Sequence, residues 1–337
     1  MKYKFLLLCF FCLFIFNAHA QKAVKKPINI IFDSDMGPDY DDVGAIAILH
    51  ALADKGETNI LATVASTKYE GVAGVLNVFN TYFNRPNIPI GVPKGNALEL
   101  RDWQHWTDTI LAKYPHQIKT NAEVPDAVDV YRKVLASQPN HSVTIVTIGF
   151  LTNLSNLLNS KADKYSPLNG KQLVKKKVKL LVSMGGKFPS GYEFNVMKDA
   201  AASQNVYTNW PTQIIFSGFE IGDRILAGLR LIHNETIKND PVKDAFRVSM
   251  PLAKEDSLGR KSWDETAVLI AIRGYQPRYK LIKGRIKVAD DGKNIWDYKG
   301  QGQAYVRDHM YPEGIVDLIN ELIMHQPVKK QKSPESN

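Results

Sequence analysis

The sequence predicts an α/β fold: a single domain on a mostly parallel, Rossmann-like central sheet with helices on both faces. Short β-branched runs alternate with amphipathic stretches along most of the 337 residues. That alternation is the signature of βαβ units and a parallel sheet. The length suits one large α/β domain with a buried core, and neither a linker nor an internal repeat divides the chain.

In chain order, INIIF (residues 28–32) leads into VGAIAILHALADKG, and NILATVAS into EGVAGVLNVFNTYF. SVTIVTIG leads into LTNLSNLLNS, VKLLVSMGG into DAAASQNVYTNW, and TQIIFSGF closes the series. Ligands of such sheets lie beyond the carboxyl ends of the strands. The polar groups after the runs, Asp33 and Asp35, Ser66 and Thr67, Gly149, Met184 to Gly186, then Gly218 and Glu220, are therefore expected to meet in one crevice. Residues 101–125, with Trp103, His105, Trp106 and His116, and residues 289–309 break the alternation and read as lids or binding loops.

The ends read differently. In MKYKFLLLCFFCLFIFNAHA (residues 1–20), Lys2 and Lys4 precede an apolar run that ends in Ala18-x-Ala20, the form of a secretory signal peptide. The run of about twelve residues is shorter than the roughly 20 needed to span a bilayer. Cleavage after Ala20 is expected, followed by export to the periplasm or beyond, with residues 21–327 as the domain and 328–337 as a disordered tail. Cys9 and Cys12 leave with the leader, so the mature chain holds no disulfide, and no later segment is long and apolar enough to span a membrane. Formal charge is +9. Its lysines, as in KQLVKKKVK, have no aromatic residues among them to stack bases, which argues against a nucleic-acid partner.

The richest segment is FDSDMGPDYDDVGA, where Asp33, Asp35, Asp39, Asp41 and Asp42 follow a strand and open a helix. A helix cap accounts for one of these carboxylates, not five. Crowded carboxylates repel and retain protons unless a cation joins them. A hard divalent ion resolves the conflict, with Gly37 and Pro38 turning the loop around it. An EF-hand is excluded, because the fifth and twelfth positions from Asp33 are Gly37 and Gly44. A haloacid-dehalogenase-like phosphatase, with Asp33 as nucleophile, is a weaker alternative, since Gly37 stands where that motif carries Thr or Val.

DSDMGPDYDD resembles the opening Asp-x-Asp-x-Gly-x-Asp-Asp of the inosine-uridine-preferring nucleoside hydrolases, with two extra residues before the last pair. IGFLTNLSN is similar to that family's Thr-Gly-Gly-Leu-Thr-Asn strand end, and LVSMGGKFPSGYEFNVMKDAAAS to its Met-Gly-Gly stretch with Glu-Phe-Asn. SWDETAVLIA is similar to its His-Asp-Pro-x-Ala-Val helix start. The resemblance implies a calcium-dependent hydrolase of ribonucleosides that releases ribose and free base, assembled in this family as a homo-oligomer. It implies calcium ligands at Asp35, Asp42, Asp264 and the carbonyl of Ile148, with Asp33 as an outer ligand or orienting group. It gives Asp41, Met184, Glu193 and Asn195 to the ribose, Thr67 or Lys68 to the place of a sugar-binding Asn, and Asp35 the role of general base.

Trp263 replaces the His of the late motif, and an indole N–H does not protonate a leaving group at neutral pH; Trp263 can instead stack on the base. This departure leaves open another ribosyl or furanosyl substrate. A non-catalytic nucleoside or sugar binder is a further alternative, against which Asp35 argues, since a pure binder needs no base beside the water.

Overall fold

All five β-branched runs form strands in the computed structural model, which describes residues 26–308 and 313–328. Residues 1–25, which include the expected leader and both cysteines, residues 309–312 with His309, and residues 329–337 lie outside the described residues. In chain order the strands are β1 (Ile28–Ser34), β2 (Thr58–Ala65), β3 (Ile90–Gly91), β4 (Val143–Thr147), β5 (Val178–Met184), β6 (Ser190–Gly191), β7 (Gln213–Ser217), β8 (Leu226–Ala227), β9 (Arg260–Lys261), β10 (Tyr279–Val288), β11 (Asn294–Asp297) and β12 (Gln303–Asp308).

Ten strands form one sheet in the order β3-β2-β1-β4-β5-β7-β12-β10-β11-β6, and β8 and β9 pair separately. From β3 to β12 every neighbouring pair is parallel. The last three strands extend the sheet antiparallel.

Apolar residues on the two sheet faces build two separate clusters. The helices Asp41–Asp54, Val72–Tyr82, Trp263–Arg273 and Glu313–Ile323 contribute to the first, and Ala127–Ser137, Thr152–Asn159, Gly170–Lys177 and Ala200–Asn209 to the second. The result is three layers, helix on sheet on helix. Helix Asp41–Asp54 is buried all round from Asp41 to Leu52, because helix Trp263–Arg273 covers the side turned away from the sheet.

Two stretches differ from the loops expected of them. Residues 289–309 contain β11 and β12, and β12 is an internal strand between β7 and β10. Four-to-six-residue strands set between turns rich in Gly, Asp and Lys carry too little periodicity to be legible. Within 101–125, helix Trp106–Lys113 is fixed by Asp102, whose carboxylate accepts from the Thr107 N–H at 2.9 Å and its hydroxyl at 2.6 Å.

The chain runs outward from β1 to β2 and β3, then returns to place β4 on the other side of β1. Between β1 and β4 the strand order reverses, and a crevice opens at the carboxyl ends of that pair.

Candidate active site

The carboxylate loop leaves β1 at this reversal. Ser34 Oγ accepts from the Met36 N–H at 2.9 Å, the Tyr69 hydroxyl donates to the Met36 carbonyl at 2.8 Å, and the Trp106 indole donates to the Gly37 carbonyl at 3.3 Å. So tied, the loop delivers Asp41 and Asp42 to the first turn of helix Asp41–Asp54, which its cap residue Tyr40 leaves without a side-chain bond, the Tyr40 hydroxyl being donated to Asp256 at 2.5 Å. The free N–H groups of that turn favour anions. Asp264 occupies the same kind of position at the start of helix Trp263–Arg273.

Oxygens of Asp41, Asp42 and Asp264 come within 4.8 Å of one another, and all three residues are buried. Asp35 and Ile148 line the same cleft, a cavity of about 530 Å³. A Cβ on Gly149 would stand 2.5 Å from Ser66 Oγ and 2.6 Å from Asp35 Oδ1, so only glycine lets the β4 loop approach so closely.

Burial, followed by repulsion from Asp42, pushes the Asp35 carboxyl well above the ordinary carboxylate range. Burial and the charge of Asp41 do the same to Asp42 and to Asp264. Asp41 is also raised by burial, but Arg260 opposes the rise. Clustered hard oxygens with more negative charge than their partners offset are the donor set of an oxygen-loving divalent cation.

Arg260 was not evident from sequence. It pairs with Asp41 at 2.6 Å, Asp39 at 2.7 Å and Asp256 at 3.5 Å, and lies 4.8 Å from the Tyr40 ring centre. Its partner Asp41 is 219 residues away, so no local pattern joins them.

The other expected residues divide. Asp33 stands behind the cleft: its carboxylate accepts from Tyr131 at 2.7 Å and Asn153 at 3.2 Å, and burial raises its pKa to about 7. Thr67 also faces away, its hydroxyl bonded to the carbonyls of Leu98 and Leu100, so it shapes the wall through Leu100 and not by contact. Met184 and Asn195 reach the cleft, where the Asn195 amide donates to the Ile148 carbonyl at 2.9 Å. Glu193 lines it too, while its carboxylate caps helix Phe194–Lys198 by accepting from the N–H groups of Asn195 and Val196, and accepts from the Gly186 N–H as well.

Trp263 is half-buried in the cleft lining beside Asp264, its ring 5.3 Å from that of Phe219. Of the residues in 101–125 singled out above, Trp103 lines the cleft. Trp106 is fully buried, His105 faces Asp108, and His116 faces the Tyr114 carbonyl. Glu220 is turned to the Phe188 N–H.

The family model described as inosine-uridine preferring nucleoside hydrolase matches residues 30–316. The chain belongs to that family. The hydrolase shares its fold with a plant nucleoside hydrolase at 18% identity and TM-score 0.66, over 88% of this chain and 99% of that one. The inosine-uridine preferring nucleoside hydrolase of Bacillus anthracis is similar at 15% identity and TM-score 0.66, over the same shares. The purine-preferring ribonucleoside hydrolase of Gardnerella vaginalis is similar at 14% identity and TM-score 0.67, again over 88% and 99%. No curated protein matches the chain by sequence. Among the described residues of the hydrolase, no helix is long and apolar enough to cross a membrane.

Proposed function

We propose that this hydrolase cleaves ribonucleosides to ribose and free base in a calcium-dependent reaction, after export through its leader. The observation that carries the reading is the buried trio Asp41, Asp42 and Asp264, gathered within 4.8 Å in a cleft that also contains Asp35. Asp35, Asp42, Asp264 and the Ile148 carbonyl would hold the cation. When bound, it supplies an oriented water of lowered pKa.

The remaining work belongs to the chain. Asp35 takes the proton of the attacking water as general base. Asp41, with one oxygen engaged by Arg260, grips the ribose hydroxyls with Asn195, Glu193 and Met184. The negative cleft offsets the positive charge that develops on the sugar ring in an oxocarbenium-like transition state. Asp33, whose carboxylate is engaged by Tyr131 and Asn153 behind the cleft, supports the hydrolase reading over the phosphatase alternative.

A nucleoside panel assayed for reducing sugar, with and without a calcium chelator, tests the proposal. Turnover is expected only with calcium, and Asp35→Asn should lower kcat by about 10²- to 10⁴-fold. Ribose binding without turnover of any nucleoside would make the protein a binder instead.

A further inference from the structure

Where β1, β2 and β4 end, two buried groups each lack what the other offers. Ser66 is fully buried, and its hydroxyl has no hydrogen-bond partner among the described residues. Asp35 is buried beside it and, among the same residues, accepts from no side chain; the donor that steadies it is its own N–H. Neighbouring carboxylates of the cleft are held more firmly. Asp42 accepts from the Ser34 hydroxyl at 2.5 Å, and Asp41 from Arg260 at 2.6 Å. Buried hydroxyls are with few exceptions hydrogen-bonded, so an orphan beside an unanchored carboxylate demands a reason.

The backbone fixes the two groups together. The Ser66 N–H donates at 2.8 Å to the carbonyl of Ser34, the residue before Asp35, and the Ile148 N–H donates at 2.8 Å to the Asp33 carbonyl. Gly149 completes the junction. The Cβ that it lacks would stand 2.5 Å from Ser66 Oγ and 2.6 Å from Asp35 Oδ1, so the two oxygens border the same small space against the β4 loop. Asp33, the other carboxylate near Ser66, is already served by Tyr131 at 2.7 Å and Asn153 at 3.2 Å. Asp35 is the acceptor still in need of a donor.

Carboxylates that ligate a metal are themselves held by outer hydrogen bonds, and losing one typically costs about 10- to 100-fold in metal affinity or activity. Resting on the calcium-dependent hydrolase reading, we propose that Ser66 is a positioning residue whose hydroxyl donates to Asp35 Oδ1 in the loaded cleft. It thereby orients the carboxylate assigned to the cation and to the proton of the attacking water. Ser66 acts through Asp35 and touches neither substrate nor ion.

Calorimetric titration of calcium into the full chain, freed of metal by a chelator, and into Ser66→Ala tests this without reference to turnover. The variant should bind calcium about 10- to 100-fold more weakly. Its Tm in chelator should not fall, because the metal-free protein loses no hydrogen bond. At calcium concentrations that saturate the variant, kcat should stay about tenfold or more below the native value, with KM for the nucleoside unchanged.

Equal calcium affinity of the two proteins would overturn the proposal. A Tm in chelator that fell together with the affinity would also overturn it, because Ser66 would then be a packing residue or a partner of Asp33. A native chain that bound no calcium would sink the calcium-dependent reading and this role of Ser66 with it; the native titration by itself keeps the two failures apart.

Discussion

At the scale of single residues, Arg260 decides how much negative charge the metal-free cleft can tolerate. Its guanidinium is the cation bound to Asp41, Asp39 and Asp256, and little of its side chain meets water. Removing one partner of a buried ion pair leaves charge uncompensated, which costs about 3–5 kcal/mol. Arg260→Gln is therefore expected to destabilise the chelated protein by that amount in urea unfolding, and added calcium should recover part of the loss. A change well under 1 kcal/mol would show that the acids keep their protons without help from Arg260. Asp33 teaches a related lesson. In sequence it belongs to the same acidic string as Asp35, yet Asp33 is still within β1 and bonds Tyr131 and Asn153, whereas Asp35 lies past the strand end in the loop that lines the cleft.

At the scale of elements, the site depends on how closely two helices approach. Helix Asp41–Asp54 and helix Trp263–Arg273 pack together, and Glu265 lies against Gly44. Where the family motif carries Pro, this chain buries a Glu whose oxygens have no hydrogen-bond partner among the described residues. Burial and the nearby charge of Asp41 raise its carboxyl well above the usual range. Gly→Ala within a helix ordinarily stabilises by roughly 0.5–1 kcal/mol. Here the added Cβ would collide with Glu265 Oε1, so the sign should reverse. Gly44→Ala is expected to lower stability by about 1–3 kcal/mol, the usual cost of overpacking. Combining it with Glu265→Ala should recover most of that loss, and a double-mutant cycle in chemical denaturation measures the coupling. Additive effects of the two changes would show that the helices slide apart freely.

For the whole molecule, the raised carboxyls link folding to pH and to metal. Asp33 moves from the ordinary 3.8 to about 7, and Asp35, Asp42, Asp264 and Glu265 move in the same direction. The folded chain thus holds more protons than the unfolded one between those values, so metal-free stability must fall as pH rises through that window. Depressed acids such as Asp54, Asp163 and Asp244 act below it, and His50, lowered by burial to about 3, opposes the trend only up to its ordinary 6.5 and as one group against several raised carboxyls. A divalent cation held by these carboxylates would bind their ionised forms and release their protons. The Tm of the chelated protein should therefore fall between pH 5.5 and 7.5, and the gain in Tm on adding calcium should grow over the same interval in a thermal scan. A calcium gain independent of pH would separate the ion from these carboxylates.

Local sequence determined the strand-and-helix alternation, the parallel core of the sheet and the acidic opening loop, because each is written in residues that are neighbours along the chain. Only tertiary structure decided that Asp41, Asp42 and Asp264 meet, that Asp33 and Thr67 face elsewhere, that 289–309 supplies an internal strand, and that Arg260 joins the two halves of the cleft. Those contacts link residues up to 223 positions apart, Asp41 and Asp264, a separation over which periodicity carries no information and only packing fixes direction.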